Sequence, residues 1–343
     1  MTYFIAEIGQ NHNGSLHTAV ELIDMVSEPI EFENNLMHAA NAVKFTVRDL
    51  DHECSPDQWN SEYNSPHAFG KTYGEHRKFL ELGYENIEKL RAHAKSRGLD
   101  FILTLCNPGV VDQYIHLADK VKIASRDAFN IPLFKKLAEY PEKKLIISFG
   151  MDRYSLLKTM KHVKNQYYIL HCVSNYPTNY HQASLNNITK LKKAYNDQKS
   201  ILRDKCLLQG VGYSDHTTGI LAAPVAVAMG AQIIEKHVTL NRDAKGSDHK
   251  CSLGPEGFKR CLRDIRNTEH MVYGKIDKYR ETKNTRSKIG RSLAVNKPIK
   301  EGHIIKESDL IMVSPGTGYA YAQSDFFIGK PAEKDYETNE LLT

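Results

Sequence analysis

This sequence lacks several features that are typical of secreted, membrane-spanning or nucleic-acid-binding proteins. Its six cysteines form no CxxC pair and no dense framework, which excludes a disulfide-stabilised secreted domain and indicates reduced thiols. The longest apolar stretch, residues 220–234, is interrupted by Pro224 and Gly230 and is too short to span a membrane. Neither sign of charge dominates, since 46 Lys and Arg stand against 41 Asp and Glu with no basic block. We therefore expect neither nucleic-acid nor membrane binding.

The first residues of the chain do not predict a secretory leader. Residues 1–9 lack a basic start, and their short apolar run is followed by polar residues, so we expect a cytoplasmic protein. A length of 343 residues accommodates two domains, or one large barrel with a small appendage. A hydrophobic content of 41% and a charged content of 25% are ordinary for a folded protein and exclude wholesale disorder.

Short apolar runs alternate with segments of helical period along most of the chain. The eight runs are YFIAEI, NAVKFT, DFILTL, KVKIAS, KLIISF, YYILHC, LLQGVGYS and QIIEKHVTL. Helices are predicted at residues 15–27, 84–97, 131–139, 155–163, 184–195, 218–229 and 256–272. This pattern predicts an α/β fold, a (β/α)8 TIM barrel. An open doubly wound sheet is the alternative, but the first βα turn is not a GxGxxG fingerprint.

Two polar stretches interrupt the alternation and divide the chain. Residues 49–74 follow the second run and contain the only tryptophan, Trp59, which predicts a long loop, a lid or an interface arm on the catalytic face. Residues 274–288 are strongly charged and predict a linker. We thus expect a barrel at residues 1–273, the linker, and a small β-rich domain at residues 289–343.

Functional groups of a TIM barrel lie at the carboxyl ends of its strands. Lysines and hydroxyls at these ends suggest a cradle for phosphate or carboxylate, and a buried lysine without a function is costly. Polar residues near the ends of the predicted strands are Glu7, Lys44, Thr104, Lys122, Ser125, Ser148, His171, Ser174, Ser214, Asp215, His216, Lys236 and His237.

Two of these histidines end neighbouring strands. Adjacent strands lie roughly 5 Å apart, so His216 and His237 could bind one divalent metal with open positions for substrate oxygens. Spacing alone leaves hydrogen-bonded core histidines as the alternative. Glu7, inside an apolar strand, is a candidate general acid or base, with a structural salt bridge to a barrel lysine as the alternative.

These strings, taken in order, resemble the N-acetylneuraminate (sialic acid) synthase family. The matching segments are AEIGQNHNGSL, NAVKFT, KIAS, LHCVSNYPT, GYSDHTTG and IIEKHVTL. The segment SLAVNKPIKEGHIIKESDL resembles the antifreeze-like (SAF) domain, a β-clip fold, that follows the barrel in this family. The chain resembles the family over nearly its whole length.

The resemblance implies a transferase that condenses phosphoenolpyruvate with an N-acylmannosamine-like or related aldose in its open-chain form. In that reaction C3 of the enol attacks the aldehyde, water adds at C2, and phosphate leaves with C–O cleavage. The family's metal ligands match His216 and His237, with Mn²⁺ expected and Mg²⁺ or Co²⁺ possible, and its acid/base glutamate matches Glu7. Phosphoenolpyruvate binding is implied for Lys44, Thr104, Lys122, Ser125, Ser174 and Ser214, and sugar binding for Thr46, Asp127, Tyr176 and Asp248.

The sequence departs from the family pattern mainly where the acceptor sugar would bind. Thr46 replaces a glutamine, residues 125–127 replace serine–glycine–glutamate, and Ser314 replaces the arginine expected to reach the partner's sugar. Losing a charge-assisted hydrogen bond costs about 1.5–3 kcal/mol. We therefore expect an acceptor other than plain N-acetylmannosamine, with Arg126 as a substitute cation.

The family also assembles as a domain-swapped homodimer, which the resemblance implies here. The final motif of the small domain is expected to be shortened.

Three alternatives to this function remain: a related synthase acting on a non-N-acylated or phosphorylated aldose, a Schiff-base pyruvate aldolase, and a non-catalytic sugar-binding protein. An aldolase would need one lysine alone in an apolar pocket, whereas both lysines here are accompanied by hydroxyls.

Overall fold

The computed structural model describes residues 1–32, 35–37, 40–150, 158–202, 206–274, 280 and 282–342. Its internal contacts divide the chain into two units, Met1–Tyr273 and Gly274–Thr343. Of the predicted linker, residues 275–279 and 281 lie outside the described residues. Within the part of the chain that is described, no helix has both the length and the apolar composition needed to cross a membrane.

The first unit is a closed barrel of eight parallel strands, which confirms the predicted (β/α)8 fold. Around the barrel the order is β1, β10, β9, β8, β7, β6, β5 and β4, and β4 pairs with β1. The strands are β1 (Tyr3–Gly9), β4 (Ala42–Val47), β5 (Asp100–Leu105), β6 (Lys120–Ile123), β7 (Lys144–Phe149), β8 (Tyr167–Cys172), β9 (Leu208–Asp215) and β10 (Ile233–His237). A short antiparallel hairpin that the sequence did not predict, β2 (Ile30–Phe32) and β3 (Asn35–Met37), precedes β4.

Side chains alternate between the barrel interior and the helix layer, because successive residues of a strand point to opposite faces. One interior layer is apolar and closes the barrel below the polar strand ends. It comprises Ile5, Ala42, Ile102, Ile146, Leu170 and Ile233, all buried. The outward set, which includes Phe4, Phe45 and Phe101, packs in the main core with the helices.

The helices of the first unit pack around the outside of the barrel, apart from two in the polar segment after β4. They are α1 (Leu16–Ser27), α2 (Pro56–Asn60), α3 (Tyr73–Leu80), α4 (Tyr84–Ser96), α5 (Val111–Tyr114), α6 (Ile131–Leu137), α7 (Asn186–Leu202), α8 (Ala222–Ala228) and α9 (Pro255–Tyr273). In α1, Ser15 caps the first turn by accepting from the Thr18 N–H, and Ala19, Leu22, Ile23 and Val26 are buried on one face at helical spacing. Part of the helix predicted at residues 155–163 lies outside the described residues.

The long polar segment after β4 is more ordered than the predicted loop. It contains α2 and leads into α3, which begins with a capping box between Thr72 and Glu75. Trp59 lies so close to Gly74 that a Cβ there would come within 2.3 Å of the indole ring. The segment therefore has its own packing, centred on its single tryptophan.

The second unit contains helix α10 (Lys283–Ile289) and an antiparallel pair, β11 (Ser292–Val295) and β12 (Leu310–Val313). Its core includes Leu293, Val295, Ile299, Ile305, Ala332, Tyr336 and Leu342. The buried Asp309 carboxylate accepts from Lys297 Nζ at 2.7 Å, His303 Nε2 at 2.9 Å and the Lys306 N–H at 3.0 Å. The second unit thus has a core of its own, while its assignment to the SAF class stays a prediction.

Candidate active site

A polar cavity of about 260 Å³ opens at the carboxyl ends of the barrel strands. Its walls combine lysines, arginines, carboxylates, hydroxyls and two imidazoles. Eleven of the predicted site residues line it: Glu7, Lys44, Thr46, Thr104, Lys122, Ser125, Tyr176, Ser214, His216, His237 and Asp248. The strand-end prediction therefore brings most of its residues to one place.

The floor of the cavity holds two buried lysines between two buried glutamates. Lys44 Nζ lies 2.5 Å from Glu7 Oε2, 3.9 Å from Glu235 Oε1 and 3.0 Å from Thr104 Oγ1. Lys122 Nζ lies 3.6 Å from Glu235 Oε1, which also accepts from Ser214 Oγ at 2.9 Å. Each ammonium thus faces a carboxylate, and hydroxyl groups surround the pair.

The pKa values of the two glutamates shift in opposite directions because their surroundings differ. Burial raises the pKa of Glu7 above its usual value, although Lys44 opposes the change. Burial also opposes ionisation of Glu235, but Lys122 and Lys44 together hold its pKa below the usual range. The arrangement favours a charged Glu235 and leaves Glu7 closer to protonation, as acid–base chemistry requires.

The two predicted metal ligands lie side by side, with 5.8 Å between the ring centroids of His216 and His237. Burial lowers the pKa of His216 to about 4 and also lowers that of His237, so both rings are neutral at neutral pH. His216 Nδ1 donates to the Val173 carbonyl at 2.7 Å, so Nε2, which lies 3.4 Å from Ser214 Oγ, carries the lone pair that can act as a ligand. A tautomer fixed in this way is typical of metal-binding histidines.

The donor set fits a divalent metal with positions left open for substrate. His237 Nδ1 is buried without a hydrogen-bond partner among the described residues, and the Asp248 carboxylate lies 4.0 Å away. Across the described residues, no group of three or more His, Cys, Asp or Glu side chains has the arrangement of a metal site. Two neutral imidazoles beside a carboxylate are suitable ligands for a divalent metal. They would leave coordination positions open for substrate oxygens, as Lewis-acid catalysis requires.

Two predicted site residues do not line the cavity. Ser174 is absent from the cavity lining, and its hydroxyl lies 2.8 Å from that of Ser125. Asp127 is turned aside, with its carboxylate 3.3 Å from Arg126 Nε and its other oxygen accepting from Asn130. Ser174 can orient Ser125, whereas Asp127 would reach a ligand only by reorienting.

Three strand-end residues expected at the rim point outward instead. His171 Nε2 lies 2.8 Å from the Ala183 carbonyl, and its ring stacks on Tyr213. Asp215 and Lys236 pair with each other at 2.8 Å, with no side-chain exposure. The expectation of three histidines at the rim was wrong, because the alternation along each strand sends every second residue to the helix layer.

Several residues that the sequence argument did not assign line the same cavity, among them Glu235, Arg48 and Arg77. Glu235 lies two residues before His237 on one strand, so the two-residue period would have found it. Arg77 lies on the helix α3, so a search for polar residues at the strand ends could not find it. Its guanidinium donates to Tyr73 Oη at 2.8 Å and to Gln10 Oε1 at 3.0 Å.

Two arginines of the cavity wall, Arg48 and Arg126, are linked by Glu53, from the polar segment after β4. Its carboxylate accepts two hydrogen bonds from Arg126, at 2.9 and 3.0 Å, and lies 3.4 Å from Arg48 Nε. Arg48 also pairs with Glu81 at 3.1 Å. Arg126, proposed from sequence as a substitute cation, is therefore already engaged by carboxylates on both sides.

Comparison with known proteins decides the family. A family model described as the NeuB family matches residues 33–278, well over half of the chain. The chain belongs to the sialic acid synthase (NeuB) family. Its curated relatives include synthases of sialic and related acids, which are phosphoenolpyruvate-dependent transferases, so the predicted enzyme class is confirmed. The family uses a divalent metal ion.

Two curated relatives illustrate the similarity. The chain is 36% identical over 271 residues to the N-acetylneuraminate-9-phosphate synthase of Drosophila melanogaster, covering 77% of this chain and 67% of that protein. It is 31% identical to the N,N'-diacetyllegionaminic acid synthase of Campylobacter jejuni, covering 99% of this chain and 98% of that protein. The family resemblance thus extends through the second unit.

Solved structures agree with this placement. The N-acetylneuraminic acid synthetase of Leptospira borgpetersenii, crystallised with citrate, matches with a TM-score of 0.64 and 26% identity, covering 83% of this chain and 91% of that one. A putative spore coat polysaccharide biosynthesis protein E from Chromobacterium violaceum matches with a TM-score of 0.72 and 23% identity, covering 100% and 98%. At 23% identity, the second match supports the fold alone.

Proposed function

We propose that this NeuB-family enzyme condenses phosphoenolpyruvate with the open-chain form of an N-acylmannosamine-like aldose. The products are a sialic-acid-like 2-keto-3-deoxy sugar acid and inorganic phosphate. One observation carries the proposal: two buried lysines with their hydroxyls and two neutral imidazoles share a single cavity. A donor rich in negative charge and an aldehyde oxygen need these two kinds of group side by side.

Phosphoenolpyruvate is held by the lysine end of the cavity. Lys44 and Lys122 supply charge, and Thr104, Ser125 and Ser214 supply hydroxyl donors, with Ser174 orienting Ser125. The buried Ser148 Oγ, which has no partner among the described residues, also lines this end and adds a further donor. Hydrogen bonds of this kind are stronger than neutral ones because the donor or the acceptor is ionised.

His216 and His237 would hold the divalent metal, with Mn²⁺ proposed and Mg²⁺ or Co²⁺ as the alternatives. When bound, the metal supplies Lewis-acid polarisation of the acceptor's aldehyde oxygen. Hydrogen bonding of His216 to the Val173 carbonyl keeps its ring in the ligating tautomer and orientation.

Glu7 acts as the acid and base of the reaction. Its raised pKa allows it to carry a proton, and its contact with Lys44 Nζ holds the carboxyl at the phosphoenolpyruvate end. As C3 of the enol bonds to the aldehyde carbon, the new alkoxide gains a proton from Glu7. The resulting carboxylate then accepts one proton from the water that adds at C2. As the C2–O bond to phosphate breaks, the new C2 hydroxyl becomes the ketone and its proton leaves with the phosphate.

The acceptor occupies the outer part of the cavity, between Tyr176, Asp248 and Thr46. Tyr176 packs on the His216 ring with centroids 4.1 Å apart, beside the position of the aldehyde. Asp127 contributes through Arg126 rather than by direct contact. The expectation that Ser314 changes acceptor preference stays a prediction, since its hydroxyl here donates to the Ile289 carbonyl at 3.3 Å within the second unit.

A domain-swapped homodimer completes the proposal, with the second unit, of SAF type, closing the partner's cavity. Mixing two inactive proteins tests it: full-length His216→Ala and a wild-type barrel cut after Tyr273. Activity regained on mixing supports exchange of the second unit between subunits. Two proteins that stay inactive when mixed, with each folded, would contradict it.

We also propose that the enzyme works in the cytoplasm.

The function itself is tested with purified protein, phosphoenolpyruvate, Mn²⁺ and a panel of aldoses. The panel contains N-acetylmannosamine, its 6-phosphate, other N-acylated mannosamine derivatives and non-acylated mannose. Phosphate release and a product mass equal to aldose plus pyruvate are expected for an N-acylated member. Replacing phosphoenolpyruvate by pyruvate is the control, and condensation with pyruvate would instead support a Schiff-base aldolase.

A further inference from the structure

A fully buried ion pair lies directly behind the two imidazoles, on the outward face of the same strands. Lys236 Nζ is 2.8 Å from Asp215 Oδ2, and neither side chain is exposed. Strands β9 and β10 pair these two residues in register. Each is the chain neighbour of one imidazole residue, Asp215 of His216 and Lys236 of His237.

The ion pair also ties down the turn that follows β9. Lys236 Nζ donates to the Thr217 carbonyl at 2.5 Å, while Asp215 Oδ1 accepts from the Thr217 N–H at 2.8 Å and from Thr217 Oγ1 at 2.7 Å. His216 therefore sits between two residues that are both tied to Lys236. Its own carbonyl accepts from the Thr178 N–H at 2.9 Å.

Stability alone is a weak reason for such a pair. Removing two charges from water is costly, and apolar residues of similar volume often serve a fold equally well. Specific placement is the better-attested use of a buried polar contact. Here the contacts fix the backbone on both sides of His216 and join it to the strand that carries His237.

We infer that Asp215 and Lys236 are positioning residues that set the relative placement of the His216 and His237 imidazoles for a divalent metal. The inference rests on the proposed metal site. The pair does not touch the cavity, and it acts only through the backbone of its neighbours. Groups that orient metal ligands commonly change metal affinity about 10–100-fold when removed.

The test measures Mn²⁺ binding to the metal-free, substrate-free full chain by calorimetry and by the electron paramagnetic resonance signal of free Mn²⁺. The main variant is Lys236→Met with Asp215→Asn, which leaves no unpaired buried charge and keeps an oxygen acceptor for Thr217. The matched control is Lys120→Met with Asp100→Asn, which removes a 2.6 Å pair joining neighbouring strands at the opposite end of the barrel.

The expected result is Mn²⁺ affinity weakened about tenfold or more in the main variant and unchanged in the control, with both proteins cooperatively folded. The visible spectrum of bound Co²⁺ should shift in the main variant only, because it reports ligand geometry. Wild-type affinity and spectrum in a folded main variant would overturn the inference. Failure of the wild-type protein to bind Mn²⁺ would overturn the proposed metal site first, and the inference with it.

A milder pair of variants covers the case in which the double variant does not fold. Thr217→Val removes only the hydroxyl that bonds Asp215, while the ion pair stays intact. Weaker Mn²⁺ binding in Thr217→Val, restored in Thr217→Ser, supports the inference. Equal Mn²⁺ binding by both variants and the wild type counts against it.

Discussion

The residues of the cavity combine charges that would be costly to bury alone. Lys44 and Lys122 are stabilised by Glu7 and Glu235. Thr104 accepts a hydrogen bond from Lys44, and Ser214 donates one to Glu235. The cost of removing these charges from water offsets most of their attraction, so such an ion pair adds little to the stability of the fold. We infer that its role is to hold charged groups at the strand ends, where a ligand can bind them. Ligand binding then replaces contacts that already exist.

The clearest prediction for single residues concerns the two classes of strand-end histidine. His216→Ala should abolish Mn²⁺ binding and lower kcat/KM by about 100-fold or more, because Lewis-acid activation is worth several kcal/mol. Treating the wild type with a chelator should reproduce the loss, and added Mn²⁺ should reverse it.

The matched control is His171→Asn, which changes a histidine of the outward face near the end of β8. It should keep Mn²⁺ binding and most activity, although some stability is lost with the contact to the Ala183 carbonyl. If His171→Asn lost metal while His216→Ala kept it, the assignment of cavity-facing histidines would be wrong.

Arg77 gives a second prediction at this scale. Among the described residues it has no carboxylate within 4 Å, and Tyr73 and Gln10 hold its guanidinium at the cavity wall. Arg77→Ala should raise the KM for the acceptor about tenfold, as expected from the loss of about 1.5 kcal/mol, and leave the KM for phosphoenolpyruvate unchanged. Steady-state kinetics with each substrate varied in turn measures both, and Lys78→Ala, one residue along α3, is the control. A rise in the phosphoenolpyruvate KM alone would contradict the placement.

Where residue chemistry and strand position agreed, as for Lys44, His216 and His237, the residues predicted from sequence line the cavity, and their roles stay predictions. The prediction failed for His171 because position near a strand end was read without the two-residue alternation that decides which face a side chain takes. Applying that alternation would have excluded His171 and included Glu235. Arg77 offered no such signal, since it approaches the cavity from a helix through tertiary packing.

Among the elements, the polar segment after β4 connects fold and site. Glu53 joins Arg48, just after β4, to Arg126, just after β6, across the end of β5. Charge-assisted hydrogen bonds thereby join the segment to two arginines of the cavity wall.

Glu53→Gln should release this segment. Loss of the paired bonds to Arg126 should speed cleavage by chymotrypsin within residues 49–74 and raise the acceptor KM, because Arg48 and Arg126 lose their orientation. Peptide mapping of a timed digest checks the first effect, and Glu62→Gln, an exposed change in the same segment, is the control. Equal cleavage of the two variants would contradict the bridging role.

Several element boundaries followed directly from the sequence. The runs DFILTL and YYILHC coincide with β5 and β8, because buried parallel strands are continuous apolar runs bounded by polar residues. The hairpin of β2 and β3 was missed, since each of its strands has only three residues, below the length at which a strand pattern is legible. The order in the segment after β4 was also missed, because it depends on Trp59 packing against Gly74.

For the whole molecule, the division into two units gives a stability prediction. Hydrogen bonds from Lys297 and His303 hold the pKa of Asp309 below its usual range. A carboxylate with a lowered pKa in the folded state stabilises above its unfolded value of about 3.9, and this contribution disappears as the pH falls. Asp309→Asn should destabilise the second unit by about 1–2 kcal/mol at pH 7, and the difference from the wild type should shrink progressively as the pH falls below about 4.

Hydrogen exchange of the full chain, followed by mass spectrometry, resolves the effect. Peptides from residues 292–342 should lose protection at pH 7, while barrel peptides keep theirs. Asp325→Asn, in the same unit, is the control. Equal protection of Asp309→Asn and wild type would show that the three donors around Asp309 contribute nothing net.

The central claim is that phosphate leaves from carbon, and the fate of one oxygen atom tests it most directly. Phosphoenolpyruvate labelled with ¹⁸O at the bridging position is turned over with Mn²⁺ and an accepted N-acylated aldose, and both products are analysed by mass spectrometry. C–O cleavage predicts the label in inorganic phosphate and none in the sugar acid. Label retained at C2 of the sugar acid would mean attack at phosphorus and would contradict the account.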